Sequence, residues 1–254
     1  MLRGKNAIIT GTNRGIGFAV LQKFAQNGCN IWACARKKNE EFEKNIEVIA
    51  DENKVWIKPV YFDLSSDDEI KRGFKAIFAE KKSIDVLVNN AGIAHDDIFQ
   101  MTSIQKLKEV YQVNLFSSMI LAQLALKVMM RAPFNDAVAQ TRSIINIASI
   151  MGMGAYETGC IYGSAKAALI SFTQSLATEV ARYKVRVNAI SPGITATDMT
   201  QVDCRQKGVN ELISRSALRR AAKADEVADV ALFLASENSS FVNGEVIRVD
   251  GGQC

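Results

Sequence analysis

Tyr162 and Lys166, in the stretch "CIYGSAKAAL", are four residues apart, and of the five tyrosines only Tyr162 has a lysine at that distance. On a helix this spacing stacks both side chains on one face. One reading is an exposed helical pair worth a few tenths of a kcal/mol. The other is chemical: a phenol titrates at about pH 10, and a fixed cation beside it would bring that value down toward neutrality, so that the phenol could exchange a proton with a substrate. The pair alone does not decide between them; on the chemical reading the expectation is a lowered Tyr162 pKa.

A second group of residues points to a nucleotide. "ITGTNRGIGFAV" places Gly11, Gly15 and Gly17 between an apolar β-branched run and an amphipathic one. Gly11 suits a tight turn, Gly15 a close approach of the backbone to a pyrophosphate, and Gly17 close helix–sheet packing, with helix-terminal amides facing the phosphates. A tight strand–helix turn of purely structural use remains the other reading. At the end of the next strand, "CARKK" puts Arg36 where an acid binding the ribose hydroxyls of NAD would be expected, and Arg14 lies in the glycine turn. Two guanidinium groups near the ribose favour a 2′-phosphate and hence NADP; solvated basic residues at a strand end are the alternative.

These residues need a scaffold, and the chain supplies a repeating one. The strands "NAIIT", "NIWACA", "VWIKPVYFD", "IDVLVNN", "RSIINIAS", "VRVNAIS" and "GEVIRVDGG" alternate with longer amphipathic stretches, including one helical pattern from Ser103 to Met130 and another carrying Tyr162. Such alternation predicts an α/β fold: one doubly wound Rossmann domain spanning 1–254, with about seven parallel strands and helices on both faces. "RAPFNDAVAQT" reads as a surface loop.

Composition narrows the chemistry. The 254 residues are 48% hydrophobic with a net charge of +4, and the basic residues are interspersed with acids, which does not predict nucleic-acid binding. His95 is the only histidine, which argues against His-based zinc sites and Ser-His-Asp hydrolysis; no metal is expected. His95 itself reads as a surface-loop residue, with lining of the cleft mouth as the alternative. The five cysteines form no C-x-x-C pattern and suit free thiols in a reducing compartment, with Cys160 expected to be packed. No apolar run reaches about 18 residues and no signal peptide precedes the first strand, so no membrane span and a cytoplasmic location are expected.

Together these motifs resemble the short-chain dehydrogenase/reductase family over nearly the whole chain. Thr10-Gly11 with Gly15 and Gly17 is similar to the family's T-G-x-x-x-G-x-G turn, and "NNAG" (Asn89 to Gly92) to its motif after the fourth strand. Asn114, Ser149, Tyr162 and Lys166 match the Asn-Ser-Tyr-Lys tetrad, and "SPGITATDM" the P-G turn after the sixth strand. The resemblance implies that Tyr162 donates a proton to a substrate carbonyl, that Ser149 hydrogen-bonds the same oxygen, that Lys166 holds the nicotinamide ribose, and that Asn114 anchors a proton-relaying water. It implies cofactor contacts from Gly11, Asn13, Arg14, Gly15, Ile16, Gly17, Arg36, Asp63, Leu64, Asn90, Ala91, Gly92, Tyr162, Lys166, Pro192, Gly193, Ile194 and Thr195. Asp63 resembles the residue that binds the adenine amino group; a helix N-cap role is the alternative.

Within the family the chain is most similar in pattern to the 3-oxoacyl-[acyl-carrier-protein] reductases of fatty-acid synthesis. That implies NADPH-dependent reduction of an acyl-carrier-protein-tethered β-keto thioester and a homotetramer, with Arg131 and Arg182 as candidates for gripping the carrier. Bulky Tyr156 and acidic Glu157, expected beside the cleft, keep another small ketone, alcohol or sugar-derived substrate open. A catalytically silent cofactor sensor or scaffold is a further alternative. The same resemblance makes the segment from Thr195 to Ser216 a substrate lid, and the apolar surfaces of the two long helices suit burial against a partner subunit.

Overall fold

The computed structural model describes residues 1–131, 142–197 and 213–253. The strands are β1 (Asn6–Thr10), β2 (Asn30–Ala35), β3 (Ile57–Tyr61), β4 (Val86–Asn89), β5 (Arg142–Ile147), β6 (Val185–Pro192) and β7 (Val246–Val249). The main helices are α1 (Gly15–Gln26), α2 (Glu40–Asn53), α3 (Asp67–Ala79), α4 (Ile104–Tyr111), α5 (Ser117–Met129), α6 (Cys160–Val180) and α7 (Ala224–Ala235). All seven strands run parallel in the order β3-β2-β1-β4-β5-β6-β7. The doubly wound topology expected from the sequence is therefore present. The surface loop expected before β5 and most of the expected lid lie outside the described residues.

The period-2 alternation within each strand sorts the core into two layers. Ala7 and Ile9 of β1 join Ile31, Ala33, Val86, Val88 and Ile145 on the face covered by α1, α2 and α7. Ile8, Trp32, Leu87, Ile144 and Val187 point the other way, under α3, α5 and α6. β3 is an edge strand, which explains why it tolerates Pro59 at its centre. It is shorter than the nine-residue run that the sequence suggested.

The helical stretch Ile104–Met129 departs from the expectation of a simple long helix. Between α4 and α5, residues Gln112–Phe116 form a π-helical turn, a feature often found at functional sites. The whole stretch is long and apolar enough to cross a membrane by length and composition, but 56% of its apolar window is buried inside the fold, where α5 packs on the sheet and α3.

α6 is tied to the sheet by polar groups as well as by apolar packing. Asn146 on β5 donates from Nδ2 to Thr173 Oγ1 on α6 at 2.8 Å and accepts from Asn89 Nδ2 on β4 at 2.9 Å; Asn89 also donates to the Ser118 carbonyl on α5. Thr173 in turn donates to the Leu169 carbonyl. Buried groups of this kind cost little while paired and much when one partner is removed. Asn146→Ala is therefore expected to lower folding stability by about 1–3 kcal/mol, read from the urea midpoint at unchanged m-value. A midpoint equal to that of the wild type would show that the ladder does not hold α6.

Candidate active site

The chain reverses direction in the sheet between β1 and β4, and a crevice opens there beyond the strands' carboxyl ends. It is a cleft of about 940 Å³, and its walls come from the turns after β1, β2, β3, β4, β5 and β6. Its floor is set by a clamp. Thr10 Oγ1 accepts from the backbone N–H of Asn90 and Ala91 at 2.9 and 3.0 Å, while Asn90 Nδ2 donates to the Thr10 and Gly11 carbonyls at 2.8 and 3.3 Å.

The glycine turn is shaped by this clamp. Gly11 has φ +70, and a Cβ there would lie 2.9 Å from Asn90 Nδ2. A Cβ at Gly17 would come within 2.2 Å of the Gly11 carbonyl oxygen. Gly17 is thus buried beneath the turn and does not line the cleft, so its role is packing; direct cofactor contact, as expected from the sequence, is corrected. Helices α2, α3 and α4 are capped by the side chains of Asn39, Ser66 and Ser103, but α1 has no side-chain cap and no acid in its first turn. Its N-terminal amides at the turn suit an anion such as a pyrophosphate.

The other expected cofactor contacts, from Asn13 and Arg14 through Arg36, Asp63 and Leu64 to Asn90, Ala91, Gly92 and Pro192 through Thr195, all line the cleft. Lys37, Lys38 and Asn39 join Arg36 at the β2 end and were not singled out in the sequence, although "RKK" was visible there. Asp63 accepts from the Ser65 backbone N–H at 2.8 Å. Its pKa is lowered: burial opposes the shift, and it is outweighed by hydrogen bonds from Ser65 and the charges of Arg36 and Lys37. The α3 cap itself is Ser66, which removes the N-cap alternative for Asp63. The uncapped α1, the glycine cradle and the basic β2 end fit a phosphorylated dinucleotide. Among the described residues no group of three or more His, Cys, Asp and Glu is placed to hold a metal ion.

At the other end of the cleft Ser149, Tyr162 and Lys166 meet. Ser149 follows β5 and its hydroxyl accepts from the Met151 backbone N–H at 3.2 Å while facing the Tyr162 phenol. A Cβ at Gly163 would lie 2.7 Å from the Met151 carbonyl, so this close approach of α6 brings Tyr162 beside Ser149. Lys166 is buried; its Nζ donates to the Ile147 carbonyl at 2.8 Å and lies 5.7 Å from the Tyr162 ring centre.

The expected lowering of the Tyr162 pKa is not found. Burial pushes the phenol up to about 12, opposed by the hydrogen bond with Ser149 and assisted by the charge of Asp96. Burial also lowers Lys166, to about 8. Desolvation outweighs the pairing that spacing alone suggested, and a phenol so placed stays protonated at neutral pH.

Asn114, the fourth expected catalytic residue, lies in the π turn and does not line the cleft. It is fully buried, donates to the Ile93 and Val110 carbonyls at 2.9 and 3.0 Å, and accepts from the Ile93 N–H at 3.2 Å. A Cβ at Gly92 would meet Asn114 Oδ1 at 2.6 Å and Lys166 Nζ at 3.6 Å, so the absence of a side chain at Gly92 leaves room between Asn114 and Lys166. His95 is not a surface-loop residue: it is 4% exposed and its Nε2 lies 2.8 Å from Thr102 Oγ1. Cys160, expected to be packed, is exposed, whereas Cys29 and Cys34 are buried thiols whose pKa values burial raises. Tyr156 and Glu157 line the cleft as expected, joined by Thr197 and Arg215 from the segment expected to form a lid.

Comparison with known proteins agrees with this geometry. A family model described as enoyl-(acyl carrier protein) reductase matches residues 11–253. The chain is 37% identical to a 3-oxoacyl-[acyl-carrier-protein] reductase of Aquifex aeolicus, covering 99% of this chain and 98% of that one. It is 34% identical to the enzyme of the same name from Chlamydia trachomatis, at the same coverage. A solved structure described as an NAD(P)-dependent gluconate 5-dehydrogenase from Beutenbergia cavernae, with bound NADP, superposes with a TM-score of 0.89 at 30% identity, covering 99% and 97% of the two chains. Seven parallel strands, a glycine turn at the switch point and Ser149, Tyr162 and Lys166 on one wall go with those matches: the chain belongs to the short-chain dehydrogenase/reductase family.

Proposed function

We propose that the chain, working as one dinucleotide-binding domain over 1–254, reduces a carbonyl to a secondary alcohol with NADPH. The substrate best supported is a 3-oxoacyl thioester tethered to an acyl carrier protein, in fatty-acid synthesis. The observation that carries the reaction type is the pairing of the Ser149 and Tyr162 hydroxyls at the end of a cleft whose opposite end is basic. The names of the relatives at 34–37% identity support the substrate.

When bound, the dinucleotide supplies hydride to the carbonyl carbon. Tyr162 and Ser149 direct two hydroxyls to one oxygen, where negative charge develops, and Tyr162 gives up its proton there. The names of the full-length relatives favour carbonyl reduction over the enoyl reduction that the family model's description names. Lys166, fixed by the Ile147 carbonyl, is the group proposed to hold the ribose, and Asn114, behind Gly92, keeps the loop after β4 in place. Arg14 and Arg36 are the groups proposed for a 2′-phosphate. The retained tetrad stands against a silent sensor.

A sugar-derived substrate is the second reading, favoured by the gluconate 5-dehydrogenase likeness and by Tyr156 and Glu157 on the cleft wall. For assembly we propose a cytoplasmic homotetramer. The outer face of α6 exposes small or polar side chains (Ser164, Ala167, Ser171, Ser175), next to exposed Phe116 and Met119, a flat surface suited to a second copy.

Three outcomes are expected. Tyr162→Phe lowers kcat for an acetoacetyl thioester on the order of a thousandfold, while NADPH binding followed by fluorescence persists; retained turnover overturns the proton-donor role. Arg36→Ala weakens NADPH binding about tenfold or more and changes NADH binding little; equal losses for both refute the 2′-phosphate assignment. Lys166 carries its charge below pH 8 and loses it as pH rises through about 8. NADPH affinity of the wild type should therefore fall above that pH, and Lys166→Met should bind weakly without that step. A pH-independent wild-type affinity would contradict the ribose assignment.

A further inference from the structure

The cleft wall beside Ser149 and Tyr162 includes the turn of residues 154–159, and its backbone is held in a definite shape. Thr158 has φ +60, a region that β-branched residues rarely enter. Such strain persists only where the surroundings over-determine it. The Gly159 N–H donates to the Tyr156 carbonyl at 3.1 Å, and Thr158 Oγ1 to the Glu157 carbonyl at 2.7 Å. A Cβ at Gly159 would lie 2.6 Å from Met151 Cε and 3.1 Å from Tyr156 Cβ, and one at Gly154 would lie 3.4 Å from the Tyr156 ring. Tyr156 is thus seated between two glycines, and the following residue, Glu157, is delivered to the cleft wall.

Charge along the cleft is divided. Arg14, Arg36, Lys37 and Lys38 line one end. Outside that end the lining acids are Asp96, Glu109 and Glu157. The Glu109 carboxylate is engaged by Lys106 at 3.0 Å. The charge of Asp96 reaches the Tyr162 phenol, which places it at the reacting end. Arg215 also lines the cleft, and both it and Asp96 have polar or ring partners.

We propose that Glu157, presented by this strained turn and acting with Asp96, is a specificity-determining residue that selects uncharged β-keto substrates over those with a carboxylate beside the ketone. The physical basis is like-charge repulsion across the cleft; Glu157 is exposed there, so the penalty on the wrong substrate is modest and is screened by salt. A thioester or ester masks the carboxylate and escapes that penalty; a free keto acid does not. The inference rests on the carbonyl-reductase reading and deepens it by naming the charge class of the substrate.

The test is a matched pair that shares one ketone: S-acetoacetyl-N-acetylcysteamine, which is neutral, and acetoacetate, which is an anion. The readout is the ratio of their kcat/KM values with NADPH in the wild type, Glu157→Gln and Glu157→Arg. The expected result is a wild-type preference for the neutral compound, narrowed about three- to tenfold in Glu157→Gln, narrowed further in Glu157→Arg, and reduced by added salt more strongly in the wild type than in Glu157→Gln. A wild-type enzyme that reduces the neutral compound, with a ratio unmoved by either substitution, overturns the role of Glu157 and leaves the reductase reading intact. A wild-type preference for acetoacetate does the same and points to Arg215 as an anion reader. Failure of the wild type to reduce either ketone removes the reductase reading, and this inference with it.

Discussion

The site depends on one small hydrogen-bonded clamp between the ends of β1 and β4. Thr10 Oγ1 takes two backbone N–H groups from Asn90 and Ala91, and Asn90 returns its amide to the Thr10 and Gly11 carbonyls. β1 and β4 are sheet neighbours, but the chain winds outward from them in opposite directions, so their crossover connections leave a gap above their ends. Without the clamp, the two turns that frame the gap would have buried polar groups with nothing to bond. With it, the glycine turn is drawn so close to Asn90 that Gly17 has no room for a side chain. The same contacts thus close the floor of the cleft and leave the α1 amides facing into it.

The reacting end is built by burial, and burial has a cost that the fold retains. Lys166 is held away from water against a single carbonyl, which lowers its pKa to about 8. Because the unfolded chain would bind that proton more tightly, stability rises with pH between about 8 and the ordinary lysine range, the opposite sign to a stabilising ion pair. Tyr162 shifts the other way, up to about 12, so folding favours its protonated form, and that contribution is lost only in strong alkali. A proton donor that stays protonated at neutral pH suits reduction, and an ammonium that is costly to keep unpaired suits a site completed by a polar ligand.

Much of this was legible in the sequence where the signal is local. The alternation of "NAIIT", "NIWACA" and "RSIINIAS" with amphipathic stretches marks strands because side chains on a parallel sheet buried on both faces are apolar throughout. Gly11 and Gly15 are found at positive φ where the turn requires them. The i, i+4 spacing of Tyr162 and Lys166 places them on one helix face. The π turn at Gln112–Phe116 was not legible, because it differs from an α-helix by one hydrogen-bond step and its composition is ordinary. Nor was the burial of His95, whose partner Thr102 is supplied by the way the loop folds back.

What the sequence by itself determined is the order of the elements and the chemical types at each turn: glycines, basic residues, and a hydroxyl, phenol and ammonium at set intervals. What only the tertiary structure decided is how those groups act on one another. The direction of the Tyr162 shift, the retreat of Asn114 and Gly17 from the cleft, and the burial of His95 beside Thr102 all depend on distances through space and on how much water is excluded. Spacing along a chain encodes neither quantity, because desolvation is set by everything packed around a group, and most of that comes from distant parts of the sequence.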